Sequence, residues 1–482
     1  MGRELGMAYN FVAVDREQLM LMPPSVAEWL PGDHLAWFVL DVVAELDLTG
    51  FRSGYRADGR GGTAYDPAMM LAVLVYAYCT GERSSRRIER RLVEDVAFRV
   101  VAANQQPDHA TIARFRGTHE TAIASLFGQV LAVCAKQGLL RPGLVAIDGT
   151  RMVANASKEA NRTAEQVAEE ILAEAAETDA SEDAEESRRD AGSAGADADL
   201  GPRLGRRARL RRVLEELTAA AEEHSYEAVM ARRAAKEAET GKKLRGKRPS
   251  PTRQKNRGRQ HGNITDPDSR LMNTKDGFVQ GFNAQAVATV DQFVLAAEVS
   301  NQAFDAPLYE EVISAAKTNL KTAGERRRIR RVVADAGYWS EHNVHLPGVE
   351  SFIAPGRARK LRKIAESEQQ RAEIIDQVEA GELSKPEAAE KLCVSVARVN
   401  QILRRRRAGE ADQFTAASIA KIDSPRGRRT YARRAGIIEP VFAQIKHNRK
   451  IRTISRRGLT AADSEWKLIC ATHNLLKLYR LA

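Results

Sequence analysis

The sequence predicts an α/β protein: a strand-containing core behind a helical N-terminal domain, broken by two mainly helical insertions. Three observations carry this. Up to about residue 140 the apolar residues recur at spacings of three and four, as on buried helix faces. Beyond it, short apolar runs bounded by Gly, GLVAIDGTRM and IRRVVADAGYWS, read as buried strands. Two long charged blocks then separate segments that otherwise share one pattern, as insertions do. At 482 residues the chain is too long for one compact core, so several units or one core with large insertions are the reasonable forms.

In chain order, PPSVAEWLPGDHLAWFVLDVVAELDL and DPAMMLAVLVYAYCTGERSSRRIERRLVEDVAFRVV are helical segments with Pro and Gly clusters between them, giving a helical domain over 1–140. GLVAIDGTRM is a strand ending at Asp148. Residues 156–262 interrupt the pattern. From Ala164 to Asp199 they hold 13 acidic and 2 basic residues, then turn basic from Arg203, which suits exposed helices or disorder. FNAQAVATV and FVLAAEVS, separated by Asp291 and Gln292, form a hairpin. PLYEEVISAAKTNLKTA is a helix, IRRVVADAGYWS a strand ending at Asp335, and ESFIAP a further strand after a short helix. Residues 357–428 are a second, charged and helical insertion. IEPVFAQIKHNRK and SEWKLICATHNLLKLY are the closing helices. The core is therefore assembled from 141–155, 263–356 and 429–482.

Net charge is +11, but its distribution says more than its size. From Gln401 to Ala482 there are 19 Lys and Arg against 6 Asp and Glu, a surplus of 13 that exceeds the whole chain's. Positive charge gathered in one region favours polyanions through counterion release, so a nucleic-acid partner is the first expectation, with a merely solubilising surface as its alternative. Cys79, Cys134, Cys393 and Cys470 form no CxxC pair. That argues against a thiolate zinc site and a disulfide framework alike, and fits a reducing cytoplasm. No signal peptide opens the chain, and its longest apolar stretch, around Pro67 to Cys79, is too short to span a bilayer, so no membrane partner is expected.

Asp148 and Asp335 each stand at the carboxyl end of an apolar strand, followed by small residues that let a bulky phosphate approach. Glu439 is read as the start of the first closing helix, with Pro440 at a first-turn position. Three carboxylates from separate elements suit a pair of Mg²⁺ or Mn²⁺ ions roughly 3.5 to 4 Å apart, acting on a phosphodiester. Singly, each has an ordinary explanation: a strand-end turn for the aspartates, a helix N-terminal charge for the glutamate. Asp266 and Asp268, in the turn-rich NITDPDSRLM, are rival carboxylates read as a structural loop. His109, His447 and His473 show no zinc-ligand spacing.

Together with the element order, VAIDGT, VVADAGYW and IEPVFAQIK resemble the signature segments of bacterial insertion-sequence DDE transposases with an RNase H-like core. PDHATIARFR, NITDPDSRLM, GFNAQAV and HNLLKL extend the resemblance over most of the chain outside the insertions. It implies a DNA transposase that cleaves and joins DNA at the terminal inverted repeats of an element and inserts it into target DNA. Asp148, Asp335 and Glu439 would be its catalytic metal ligands for two Mg²⁺ or Mn²⁺ ions. The family's tyrosine, arginine, glutamate, lysine signature is met at Glu439 and Lys446, while Tyr431 and Arg434 each lie one residue further upstream than is usual. Lys446, about two helical turns after Glu439, is expected to hold a phosphate. The resemblance also implies a homodimer in the DNA complex and a bacterial, nucleoid-associated location.

Within the second insertion, GELSKPEAAEKLCVSVARVNQILRRRR has helix-turn-helix proportions. Ser384 and Glu387 make a capping box, Ala389, Leu392, Val399 and Ile402 pack two helices, and Cys393 to Ser395 turn between them. Arg398, Gln401 and Arg404 would then face outward toward DNA. An ordinary charged helical hairpin is the alternative. For the whole chain, a metal-dependent nuclease that cuts without joining and a non-catalytic DNA-binding protein stay open.

Overall fold

The structure is a computed structural model; it describes residues 25, 28–55, 64–173, 205–223, 226–240, 261–274, 277–355, 358–407 and 414–481. The N-terminal part is helical, as expected: α1 (Leu35–Glu45), α2 (Thr49–Arg52), α3 (Pro67–Cys79), α4 (Ser85–Glu94), α5 (Val96–Val101), α6 (His109–Thr118) and α7 (Glu120–Lys136). Asp66 caps α3 by accepting from Ala68 N, ahead of Pro67 in the first turn. From Met70 to Cys79 every residue of α3 is buried, which explains a helix that is apolar all round.

The core sheet contains β1 (Leu144–Val153), β4 (Arg270–Thr274), β5 (Gly277–Thr289), β6 (Val294–Ser300), β7 (Arg331–Ala334) and β8 (Glu350–Ile353). Its order is β4-β5-β1-β7-β8, with β6 also on β5. A two-stranded ribbon, β2 (Asn161–Arg162) with β3 (Gly262–Asn263), closes the base of the first insertion. On one side β1 runs antiparallel to β5, and on the other parallel to β7, which in turn pairs parallel with β8. The β5–β6 hairpin forms as expected, but its turn is longer than two residues: Thr289 N still donates to Phe293 O at 2.9 Å, and Gln292 takes the left-handed φ of 63°.

Helices α10 (Tyr309–Thr322) and α11 (Glu341–Val344) lie between the later strands. The chain closes with α15 (Phe414–Asp423), α16 (Pro425–Ala443) and α17 (Leu459–Tyr479). α17 packs on α3 and α7 with one face and on β6 with another. Its Trp466 Nε1 donates to Gln285 O at 2.9 Å, and Asn474 exchanges hydrogen bonds with the backbone of Val294 at 2.8 and 2.9 Å. Helical region and sheet therefore share one continuous apolar core. Arg449 staples it: fully buried, it donates to Thr472 Oγ1, Ile469 O and Tyr78 O at 2.8, 2.9 and 3.3 Å.

Each insertion carries a small apolar core of its own. In the first, α8 (Arg206–Glu223) and α9 (Tyr226–Thr240) follow the acidic run, most of which lies outside the described residues. Leu210, Val213 and Leu217 pack on Val167 and Ile264, so this stretch is more than a solvated charged helix. In the second, α12 (Ala358–Glu379), α13 (Lys385–Lys391) and α14 (Val396–Arg407) enclose Ile375, Ala388, Ala389, Val399, Ile402 and Leu403.

Candidate active site

Asp148 and Asp335 are neighbours because of strand register. β1 and β7 pair in parallel from Leu144↔Arg331 to Ile147↔Ala334, so the next residues on the two strands are the two aspartates. β1 does not end at Asp148, as the sequence implied, but runs on to Val153. It loses its parallel partner there and keeps its antiparallel one, β5, through Val153↔Gly281. Asp148 thus sits where one side of the strand opens. Its Oδ1 accepts from Gly149 N at 2.8 Å, and Asp335 Oδ1 from Gly337 N at 2.9 Å.

Glu439 is placed differently from the sequence expectation. It is not at a helix start but well inside α16, whose true N-terminus is Ser424–Pro425, with Ser424 Oγ accepting from Gly427 N at 2.9 Å. Pro440 lies within the helix, where it can donate no hydrogen bond to residue 436 and its ring crowds that residue's carbonyl. Residue 436 is glycine, and its freed carbonyl takes Gln292 Nε2 at 3.3 Å. The dipole explanation for Glu439 falls with this correction, because that effect fades beyond the terminal turn.

Arg434 joins the carboxylates. Its Nη1 donates to Asp148 Oδ2 at 3.0 Å and its Nη2 to Glu439 Oε1 at 3.3 Å. Tyr431, one turn before, is hydrogen-bonded to Arg434 and half-buried beside Asp335 and Asp148. Both residues displaced from the family spacing therefore reach the same place. Burial, and then the neighbouring Asp335, push the Asp148 carboxyl up to about 6, against the pull of Arg434. Two acids held side by side, Asp148 largely buried and Asp335 partly exposed, suit a cation between them. Among the described residues, though, no three His, Cys, Asp or Glu side chains converge closely enough to hold one as placed. Glu439, tied to the site through Arg434, is 60% exposed at its side chain.

Lys446 stands in a wider turn, the π-helical Gln444–Asn448, so the phase relation to Glu439 that a regular helix would give is altered. Its Nζ bonds Thr150 Oγ1 and Arg151 O (2.9 Å to the latter), two and three residues past Asp148. Burial, with Arg452 and Arg151 close by, pushes it down to about 8.

Sequence reasoning passed over a fourth carboxylate. Asp305, in the loop before α10, accepts from Asn283 Nδ2 at 2.8 Å, Gln285 Nε2 at 3.0 Å and Arg151 Nη1 at 3.3 Å. The sequence reading begins the helix at Pro307 and gives Asp305 no role; standing just before it, Asp305 makes no side-chain cap bond. Asp266 and Asp268 lie elsewhere. They accept from Gly458 N at 3.1 Å and Leu459 N at 2.9 Å and so hold the start of α17, a structural role. His473 is a core residue whose Nε2 bonds Gln292 O at 3.0 Å.

In the second insertion the capping box is present: Ser384 N donates to Glu387 Oε2 at 2.8 Å, and Glu387 N to Ser384 Oγ at 3.4 Å. Cys393 supplies the left-handed turn residue, φ 48°, where a glycine is usually found. Gln401 and Arg404 are exposed, and Arg398, half-buried, donates to Gln401 Oε1 at 2.7 Å. None of these three residues is among the Asp148 contacts.

Residues 24–118 match a family described as a transposase domain (DUF772), and residues 388–479 match one described as a transposase DDE domain. The two matches support an insertion-sequence DDE transposase. The second stretch holds Glu439, Arg434, Tyr431, Lys446 and α14; Asp148 and Asp335 fall outside both. No curated protein and no solved structure matches the chain. No helix of the described residues is long and apolar enough to cross a membrane.

Proposed function

We propose that the chain cleaves DNA at the terminal inverted repeats of an insertion element and joins the freed ends to target DNA. The phosphoryl transfer would depend on two Mg²⁺ or Mn²⁺ ions held by Asp148, Asp335 and Glu439 on an RNase H-like core. The observation that carries this reading is the parallel register that sets Asp148 beside Asp335, with Arg434 reaching from Asp148 to Glu439. Such ions, when bound, activate the attacking hydroxyl and stabilise the leaving oxygen. The protein's own groups do the rest. Arg434 offsets the repulsion among the carboxylates and, beside Tyr431, borders the path of the scissile strand. Lys446 uses two of its three donors on β1 and keeps the third for a phosphate oxygen. The tri-helical unit α12–α14 supports a second DNA contact, with Arg398, Gln401 and Arg404 of α14 lying in the major groove. A homodimer would bring two element ends together.

Asp148→Ala, Asp335→Ala and Glu439→Ala are each expected to abolish strand cleavage in Mg²⁺ while leaving binding to element-end DNA near wild type, because affinity comes from distributed Lys and Arg. Retained cleavage in one variant removes that residue from the site. A wild-type chain that cuts end-labelled DNA but never links it to a second duplex would favour the nuclease reading instead.

A further inference from the structure

Asp305 makes no cap bond to the helix it precedes and stands instead beside the residues that follow Asp148 and Asp335. A Cβ built on Gly149 would lie 2.9 Å from Asp305 Oδ1. One built on Gly337 would lie 3.1 Å from Asp305 Oδ2 and 3.0 Å from Asp335 Oδ1. The carboxylate therefore stands against the residue that follows each aspartate by one or two positions, and glycine is what leaves it the space.

Its partners form a relay. An ionised carboxylate only accepts hydrogen bonds, so the Gln285 amide must turn its NH₂ toward Asp305. The same NH₂ also donates to Asn283 Oδ1 at 2.9 Å. That orientation leaves Gln285 Oε1 facing the Tyr338 hydroxyl, which donates to it. Tyr338 is fully buried in the short 3-10 turn Ala336–Tyr338 that Asp335 begins. Gln285 is also fully buried, so an amide turned the other way would set its oxygen against the acceptor oxygens of Asp305 and Asn283 and leave the Tyr338 hydroxyl proton without its acceptor.

We propose that Asp305 is a positioning residue of the phosphoryl-transfer site: through Gln285 and Tyr338 it fixes the turn that holds Asp335 against Asp148. The alternative is that it merely anchors its own loop through Arg151. The inference rests on the catalytic reading given above. Groups that orient metal-ligating side chains typically change affinity or activity 10- to 100-fold when removed.

Asp305→Asn keeps the size but can donate, so it no longer forces the Gln285 amide; Tyr338→Phe removes the last link. Three measurements on the full chain test the idea. Amide exchange over residues 336–339, without metal, should quicken in both variants. The Mn²⁺ concentration that half-saturates the chain, read by electron paramagnetic resonance, should rise about tenfold or more. Cleavage should slow by about 10- to 100-fold and recover in part at high Mn²⁺, with the melting temperature and end-DNA binding close to wild type. Unchanged exchange and Mn²⁺ saturation in both variants overturns the proposal. So does complete loss of Mn²⁺ binding in Asp305→Asn equal to that of Asp335→Ala, which would make Asp305 a ligand. If Asp335→Ala still cleaves, the catalytic reading fails, while the exchange measurement continues to decide the relay.

Discussion

Arg434 illustrates why a single side chain can matter more than its spacing in a motif. Lying one residue further upstream of Glu439 than is usual in the family it resembles, it still reaches Asp148 at 3.0 Å, because an arginine stem is long and its fork has several donors. His473 shows the opposite case, a side chain whose role is set wholly by burial. Burial pushes it down to about 3, so it stays neutral in the folded chain where an unfolded histidine would already be charged. Between the unfolded value near 6.5 and about 3 the unfolded state binds the extra proton, so folded stability falls as pH falls through that window. At pH 5 this one group should cost about 2 kcal/mol relative to pH 8. Urea midpoints at the two pH values check it: His473→Gln should lose less stability on acidification than wild type, and equal losses would exclude His473 as the cause.

Elements were more legible than the residues at their ends. The helical region follows from apolar periodicity, and the β5–β6 hairpin and the strands leading to both aspartates from short apolar runs; both signals survive because they report burial. The misreadings came where two elements share one signal. Pro440 looked like a helix start since proline favours first turns, but the Ser424–Pro425 pair is the real start, and the carbonyl that the interior proline frees is taken by Gln292. Asp305 carries no local signal, because the Asn283 and Gln285 side chains that converge on it come from β5, 22 and 20 residues earlier in the chain. The tri-helical unit was foreseen as two helices; α12, the third wall of its core, lay in a stretch read as charged and helical but given no part in the unit. If α14 reads DNA, Arg398→Ala and Gln401→Ala should relax preference for the element end by roughly 1–3 kcal/mol while general affinity changes less. Binding to terminal-repeat and scrambled DNA at one salt concentration checks this, and equal specificity ratios for wild type and variants would leave α14 an ordinary helix.

At the scale of the whole molecule, the basic surplus after Gln401 divides into two populations. Some of these cations are consumed by the fold. Arg449 is buried between the helical region and α17, Arg456 is paired with Glu120, Arg426 with Glu350, and Lys467 with Glu298 and Asp463. Others remain at the surface: Arg429 and Arg433 are exposed on α16 leading to Glu439, and Lys450 and Arg452 are exposed just beyond Lys446. Those four flank Glu439 and Lys446 in the chain, so a DNA strand that follows this segment would meet them. Deleting the region cannot test this, because α17 is part of the shared core. Replacing Arg429, Arg433, Lys450 and Arg452 with Gln leaves the core intact and removes charge alone. Each residue that contacts a phosphate should lower the slope of log affinity against log salt by about 0.9 on duplex DNA. The substitution of Arg449 or Arg456 should instead lower the melting temperature, with little change of slope among molecules that stay folded. A fourfold variant with the wild-type slope would move the DNA path away from α16 and the segment after Lys446, and leave the tri-helical unit as the surface to examine next.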